Sequence, residues 1–223
     1  MTIITIVIPT KNEERTIAEI IEGCKPHGDE ILIVDGHSTD GTRDITEKLG
    51  ASVVLDNKKG KGDGLRVALR EAKGDIVVFI DADGSHDPLD IPKLVQPLLD
   101  NEADLVVGSR MRGGSDELYG SFGEFIRLMG SGIITQCINY RYGVHLTDSQ
   151  NGFRAIRRDA GLAVGLTEDI FTIEQEMIMK LLKHGYRITE VPSHEYARKY
   201  GESGIKLWKV SHRYVWCLIK GMF

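Results

Sequence analysis

Hydrophobic residues in this chain fall in short continuous runs, separated by stretches of helical periodicity. Ile3 to Ile8 is β-branched throughout, too short for a helix and too apolar for a strand with one wet face. It predicts a strand buried on both sides. Asn12 to Cys24 then places Ile17, Ile20, Ile21 and Cys24 at helical spacing, with Thr10 or Asn12 positioned to cap the helix. Glu30 to Val34 is a second strand. The alternation continues with a helix over about 41–49, a strand at 52–55, a helix over about 62–72 and a strand at 75–80, then a helix at 87–99 and a strand at 104–108. Strands alternating with helices of this length imply an α/β fold, its mostly parallel sheet covered by helices on both faces. Sheets of this kind bind ligands beyond the carboxyl ends of their strands. The chemistry should therefore lie just after Ile8, Val34, Leu55, Ile80 and Gly108.

Past Gly108 the pattern loosens. Residues 109–123, rich in Gly, Ser and charge, read as a loop, and 124–140 as a helix in spite of Gly130 and Gly132. A strand at 153–156, a helix at 172–184, a strand at 187–192 and an amphipathic helix from about Ile205 complete the chain. In that last helix Leu207, Val210, Tyr214, Leu218 and Met222 recur at helical spacing, widened by Trp208, Val215, Trp216 and Ile219 and interrupted by Lys209, Arg213 and Lys220. Its charges and length rule against a membrane span. Two roles stay open: an interfacial helix at a membrane surface, or packing on the domain's own core. The expected organisation is one main unit over residues 1–204, with the helix at 205–223 appended.

Composition narrows the partners. The 223 residues are 41% hydrophobic and 27% charged, which suits one soluble α/β domain. A net charge of -5 argues against nucleic acid, whose phosphates are bound by neutralising them. The three cysteines form no CxxC pair, and the apolar N-terminus lacks a basic leader and a cleavage site. Both point to the reducing cytoplasm.

The strongest local signal is Val77-Val78-Phe79-Ile80-Asp81-Ala82-Asp83, an apolar strand running into two carboxylates one residue apart. In extended backbone, residues i and i+2 point the same way, so both acids can face one point at the sheet edge. Such oxygen ligands suit Mg²⁺ or Mn²⁺ shared with phosphate oxygens. Asp35, at the next strand end in Val34-Asp-Gly-His-Ser-Thr-Asp-Gly-Thr42, can accept from a base or ribose hydroxyl, while Asp40 reads as a helix cap. Lys58-Lys-Gly-Lys-Gly-Asp-Gly64 lies just before a helix, where exposed amides favour anions, although a solvated loop explains the same composition. His37, His86 and His145 are scattered, without zinc-ligand spacing.

Taken in order, Val7-Ile-Pro-Thr-Lys-Asn-Glu13, the Asp35 segment, Gly60-Lys-Gly62, Asp81-Ala-Asp-Gly84, Val107-Gly-Ser-Arg110, Leu146-Thr-Asp-Ser-Gln-Asn-Gly-Phe-Arg154 and Tyr196-Ala-Arg-Lys-Tyr-Gly-Glu-Ser203 resemble the family 2 inverting glycosyltransferases. Within them the chain is most similar to the polyprenyl or dolichyl phosphate mannose and glucose synthases. The resemblance implies a nucleotide-sugar-binding fold of the GT-A type. It assigns Pro9, Thr10, Glu13 and Asp35 to the nucleoside, with Lys61 and Asp81 near the base and ribose or the metal. Asp83 becomes the principal metal ligand. Relatives often have Gln where this chain has Ser85, which leaves Ser85 or a water as the third ligand. Arg198, Ser203 and Lys206 would belong to a loop closing over the diphosphate.

Transfer from a diphosphate needs neutralisation of the departing side and a nucleophile on the opposite face of the sugar. A polyprenyl phosphate is already anionic and needs only cations to position it; Arg110, Arg127 and Arg154 are the candidates, whereas Arg157 and Arg158 read as a solvated face. A hydroxyl acceptor would need a base, for which Asp148 is the candidate. The expected partners are a nucleotide diphosphate sugar and a polyprenyl phosphate, with peripheral contact at the inner membrane face. A catalytically silent nucleotide-sugar-binding module is the alternative from another class.

Overall fold

In the computed structural model, which describes residues 2–117, 122–200 and 207–222, the predicted runs become seven strands. They are β1 (Ile4–Thr10), β2 (Glu30–Asp35), β3 (Ser52–Leu55), β4 (Ile76–Phe79), β5 (Leu105–Ser109), β6 (Arg154–Arg157) and β7 (Ile188–Pro192). One sheet joins them in the order β3-β2-β1-β4-β6-β5-β7. All pairings are parallel except those of β6, which runs antiparallel between β4 and β5. The mostly parallel α/β fold expected from the alternation is the fold observed.

The helices are α1 (Ile17–Cys24), α2 (Thr42–Lys48), α3 (Lys61–Glu71), α4 (Ile91–Leu99), α5 (Arg110–Gly113), α6 (Phe122–Tyr142), α7 (Arg158–Ala163), α8 (Ile173–Lys183) and α9 (Leu207–Met222). Side chains alternate across each strand, so the sheet feeds two cores. Ile6, Ile8, Ile33, Val78 and Ala155 pack under α1 and α4. Val7, Val34, Val77, Phe79, Val107 and Ile156 pack under α3, α8 and Cys217 of α9.

The antiparallel strand decides where the site forms. Arg154 opens β6 opposite Phe79 and Val107, near the carboxyl ends of β4 and β5. A parallel strand would begin at the far edge. Because β6 runs backwards, the segment before it, Asp148 to Phe153, arrives at the ligand edge instead.

Four expectations are corrected. The first helix starts at Ile17, because Asn12 takes a left-handed backbone (φ 57) and Lys11 to Thr16 form a loop. Neither Thr10 nor Asn12 caps it: the Thr10 hydroxyl donates to the Ile8 carbonyl, and Asn12 Oδ1 accepts from Thr39 N–H. Residues 109–123 are not all loop, since the Ser109 hydroxyl accepts from Arg112 N–H and caps the short α5. Arg157 and Arg158 are not a solvated face, for their guanidiniums donate to the carbonyls of Leu98 (2.6 Å) and Leu69 (2.8 Å). Asp40 sits one residue before the N-cap Gly41, and its Oδ1 accepts from Thr42 N–H at 3.1 Å, so it holds the turn into α2 without occupying the cap position itself.

Helix α9 packs on the domain. Cys217 is buried, the Tyr214 hydroxyl donates to the Phe171 carbonyl at 3.3 Å, and Arg141 of α6 donates to the Met222 carbonyl at 2.8 Å. Its other face leaves Val215, Trp216 and Ile219 exposed, and α6 exposes Phe125, Ile126, Met129 and Ile133. Among the described residues no helix is long and apolar enough to cross a membrane.

Candidate active site

The sheet edge gathers three groups of polar residues, each delivered by a strand end. At the first, register sets Thr10 of β1 beside Asp35 of β2, with Pro9 one step back. Asp35 is fully buried, and its carboxylate accepts from the Ser38 N–H at 3.1 Å and from the Ser38 hydroxyl, with Arg43 Nε at 3.4 Å. Its oxygens are therefore engaged within the chain. Glu13 lies beyond, and burial together with the neighbouring Asp83 raises its carboxyl above the usual range, Asp81 adding to the effect.

The second group follows β4. Lys61, the first residue of α3, sets its ammonium 2.8 Å from Asp81 Oδ1 and 3.2 Å from Glu174 Oε1. Burial alone would raise the Asp81 carboxyl, but the Lys61 charge and hydrogen bond hold it below the usual range. Asp83, two residues on, is buried: its Oδ1 accepts from Ser85 N–H (3.0 Å) and Ser85 Oγ (2.7 Å), and its Oδ2 faces Arg198 at 3.1 Å. Arg198 is shared with Glu117 at 3.2 Å. The backbone around it straps the acidic loop, Tyr196 N–H donating to the Ser85 carbonyl at 2.8 Å. Ser203 and Lys206, expected in the same loop, lie outside the described residues.

Among the described residues no three acidic, histidine or cysteine side chains converge as an all-protein metal cage. Two carboxylates faced by a lysine and an arginine are a different donor set. It fits a hard divalent ion that takes one or two protein oxygens and completes its shell with phosphate and water. Ser85 Oγ already donates to Asp83, so it braces that carboxylate.

The third group joins β5 to the segment before β6. Arg110 grips Asp148, Nε donating to Oδ2 at 2.6 Å and Nη2 to Oδ1 at 3.0 Å, and its Nη1 reaches Glu195 at 3.3 Å. Beneath, Glu190 accepts from the N–H groups of Thr147 (2.9 Å) and Asp148 (2.7 Å), fixing the loop. Burial would raise the Asp148 carboxyl, yet Arg110 holds it low. A base candidate whose two oxygens are taken by a guanidinium fork is a weak proton acceptor.

Arg154 requires a correction. It is fully buried, donating from Nε to the Asn151 carbonyl at 3.0 Å and from Nη1 to the Glu174 carbonyl at 2.9 Å. Burial pushes its pKa down to about 10. In this arrangement it shapes the Asn151 loop and does not face an acceptor. Arg127, on α6, lies 3.9 Å from Glu117, the acid that also holds Arg198.

Sequence reading missed Glu117, Glu174, Glu190 and Glu195. Glu174 carried a legible signal: it shares the helical stripe of Met177, Ile178 and Leu181, all buried. A charge on an apolar stripe implies a buried partner. The glycines of Gly60-Lys-Gly62 also have a different reason. A Cβ on Gly62 would come within 2.4 Å of the Glu168 carbonyl and 2.8 Å of that of Ile170, so close backbone packing, not an anion cradle, demands glycine there.

Comparison with known proteins gives the family. Residues 5–162 match Glycosyl transferase family 2. The glycosyltransferase AglJ of Haloferax volcanii is 35% identical over 89% of this chain and 64% of its own length. The chain thus spans a little under two thirds of that relative. A UDP-N-acetylglucosamine–dolichyl-phosphate N-acetylglucosaminyltransferase of Methanococcus voltae is 29% identical over 85% of this chain and 84% of its own. Among solved structures, glucosyl-3-phosphoglycerate synthase from Mycobacterium tuberculosis, in complex with Mn²⁺, UDP and glucosyl-3-phosphoglycerate, superposes with a TM-score of 0.77 at 25% identity, covering 99% of this chain and 80% of that one. With the family match running from the first strand through the acidic loop to the strand that Arg154 opens, the chain belongs to glycosyl transferase family 2.

Proposed function

We propose that the chain transfers a hexose, with inversion, from a UDP- or GDP-linked sugar to a polyprenyl phosphate. The observation that carries the acceptor half is the Arg110–Asp148 fork. It occupies the carboxylate that a hydroxyl acceptor would need as base, while an acceptor that is already anionic needs none. Arg110, Arg127 and Arg198 supply the cations for the phosphates, and the likeness to a dolichyl-phosphate transferase supports the same acceptor class.

On the donor side Asp83, backed by Ser85, and Asp81 would hold Mg²⁺ or Mn²⁺, as the Mn²⁺ and UDP complex of the structural neighbour supports. The ion, when bound, would neutralise the departing diphosphate. Lys61 and Arg198, now paired with the two aspartates, are placed to turn toward the diphosphate oxygens. Pro9, Thr10, Glu13 and Asp35 line the strand ends where the nucleoside would lie. The exposed apolar residues of α6 and α9 suit peripheral contact with the bilayer carrying the acceptor.

A small soluble acceptor is the second reading, favoured by the neighbour crystallised with glucosyl-3-phosphoglycerate. Single-turnover transfer to polyprenyl phosphate, against saccharide and phosphoglycerate acceptors, separates the two. Lipid-linked product is the expected outcome. Product on soluble acceptors alone would overturn this acceptor assignment.

A further inference from the structure

Lys61, Asp81 and Glu174 converge behind the acidic loop, and of the three Glu174 has no part in the reaction outlined above. Glu174, in the first turn of α8, is 2% exposed. Its Oε1 meets Lys61 Nζ at 3.2 Å, but its Oε2 is buried without a hydrogen-bond partner among the described residues. A buried carboxylate oxygen left unpaired is costly, so it marks either strain or a missing ligand.

The backbone of Gly152 packs directly against this trio. A Cβ on Gly152 would stand 2.8 Å from Lys61 Nζ, 3.1 Å from Asp81 Oδ2 and 3.7 Å from Glu174 Oε1. Any other residue there would intrude where the three side chains converge. The charges nearly cancel: Lys61 and the buried Arg154 offset Asp81 and Glu174, Arg154 donating to the Glu174 carbonyl. A charge-balanced site rich in acceptors suits neutral hydroxyl groups, which donate to carboxylates and accept from an ammonium.

We infer that Glu174, through its unpartnered Oε2 beside Lys61, Asp81 and Gly152, reads a hydroxyl group of the transferred sugar and so contributes to donor specificity. The inference rests on the nucleotide-sugar reading above. Glu174 and α8 lie beyond residues 5–162, so the family match does not assign them this role.

Calorimetric titration with Mn²⁺ present tests it, using UDP, UDP-glucose, GDP and GDP-mannose on the wild type, Glu174→Ala and Glu174→Gln. A site built to hydrogen-bond a hydroxyl discriminates strongly when that partner is lost. Glu174→Ala should bind the bare nucleoside diphosphate within about twofold of wild type and lose about tenfold or more of the extra affinity for the sugar-linked form; Gln, which keeps an acceptor, should retain part of it. Glu174→Gln, nearly isosteric with the wild-type side chain, keeps the test valid if Glu174→Ala fails to fold. An unchanged ratio of the two affinities in the folded variants overturns the inference while leaving the nucleotide-sugar reading intact. Failure of the wild type to bind any of the four overturns that reading, and the inference with it.

Discussion

Arg110 and Asp148 lie 38 residues apart in sequence and meet as a two-pronged fork, at 2.6 and 3.0 Å, with the Arg110 N–H donating a third bond to Asp148 at 3.2 Å. Both side chains are almost wholly buried. Removing one member of such a pair leaves a buried charge, at a cost of about 3 to 5 kcal/mol. Arg110→Ala should therefore lower the urea midpoint by an amount equivalent to several kcal/mol. A shift under about 1 kcal/mol would show that the pair is solvated in solution.

The same pair sets an acid limit on stability. The Asp148 carboxyl lies below its ordinary value of 3.8 in the folded chain, so the unfolded chain binds the proton more readily. Its contribution is present above that ordinary value and is lost as pH falls through the lower, folded one. Thermal melting should drop toward acid pH more gently in Asp148→Asn than in wild type, because the variant has no proton to take up there. Parallel curves would contradict the assignment.

Asp148→Asn also separates the acceptor classes. If Asp148 is a base, the variant loses the acid limb of its kcat/KM profile. The fork predicts instead that kcat/KM falls through a misplaced Arg110 while the profile keeps its shape.

The two helical glycines of Gly62-Asp-Gly64 should respond in opposite ways. At Gly62 an added Cβ would strike the backbone of 168–170 at 2.4 to 2.8 Å, whereas at Gly64 it would meet nothing nearer than 3.5 Å. Gly62→Ala should destabilise by about 2 kcal/mol or more through strain. Gly64→Ala should be neutral or gain up to about 1 kcal/mol from helix propensity. Denaturant titration of the two variants reads the difference directly.

The outward faces of α6 and α9 make a prediction at the membrane. Trp216→Glu and Ile133→Glu, at positions 57% and 60% exposed, should leave melting unchanged and abolish flotation with vesicles containing anionic lipid. Wild type that never floats would remove the membrane from the account.

The strands, their order of appearance and the acidic pair were legible because buried parallel strands announce themselves as β-branched runs that stop at the ligand edge. Ile76 to Phe79 followed by Asp81 and Asp83 is the clearest case. The reversal of β6 was not legible, since antiparallel and parallel strands share the same local pattern. That reversal is what brings Asp148 to the edge, and it also carries Arg154 into the interior, where sequence suggested an exposed cation. Glu190 and Glu117 were invisible for a related reason: their partners, Thr147 with Asp148 and Arg198, lie 42 to 81 residues away. Only the folded sheet sets them side by side.

The central claim, that Asp83 organises a divalent ion and a nucleoside diphosphate, is tested most directly by titrating UDP and GDP into wild type and Asp83→Ala with and without Mn²⁺. One of the two nucleotides should bind wild type at least about tenfold more tightly with Mn²⁺, since metal and phosphate complete each other's shell, and the gain should vanish in the variant. Equal affinity with and without the ion, or a gain that survives loss of Asp83, would contradict the account.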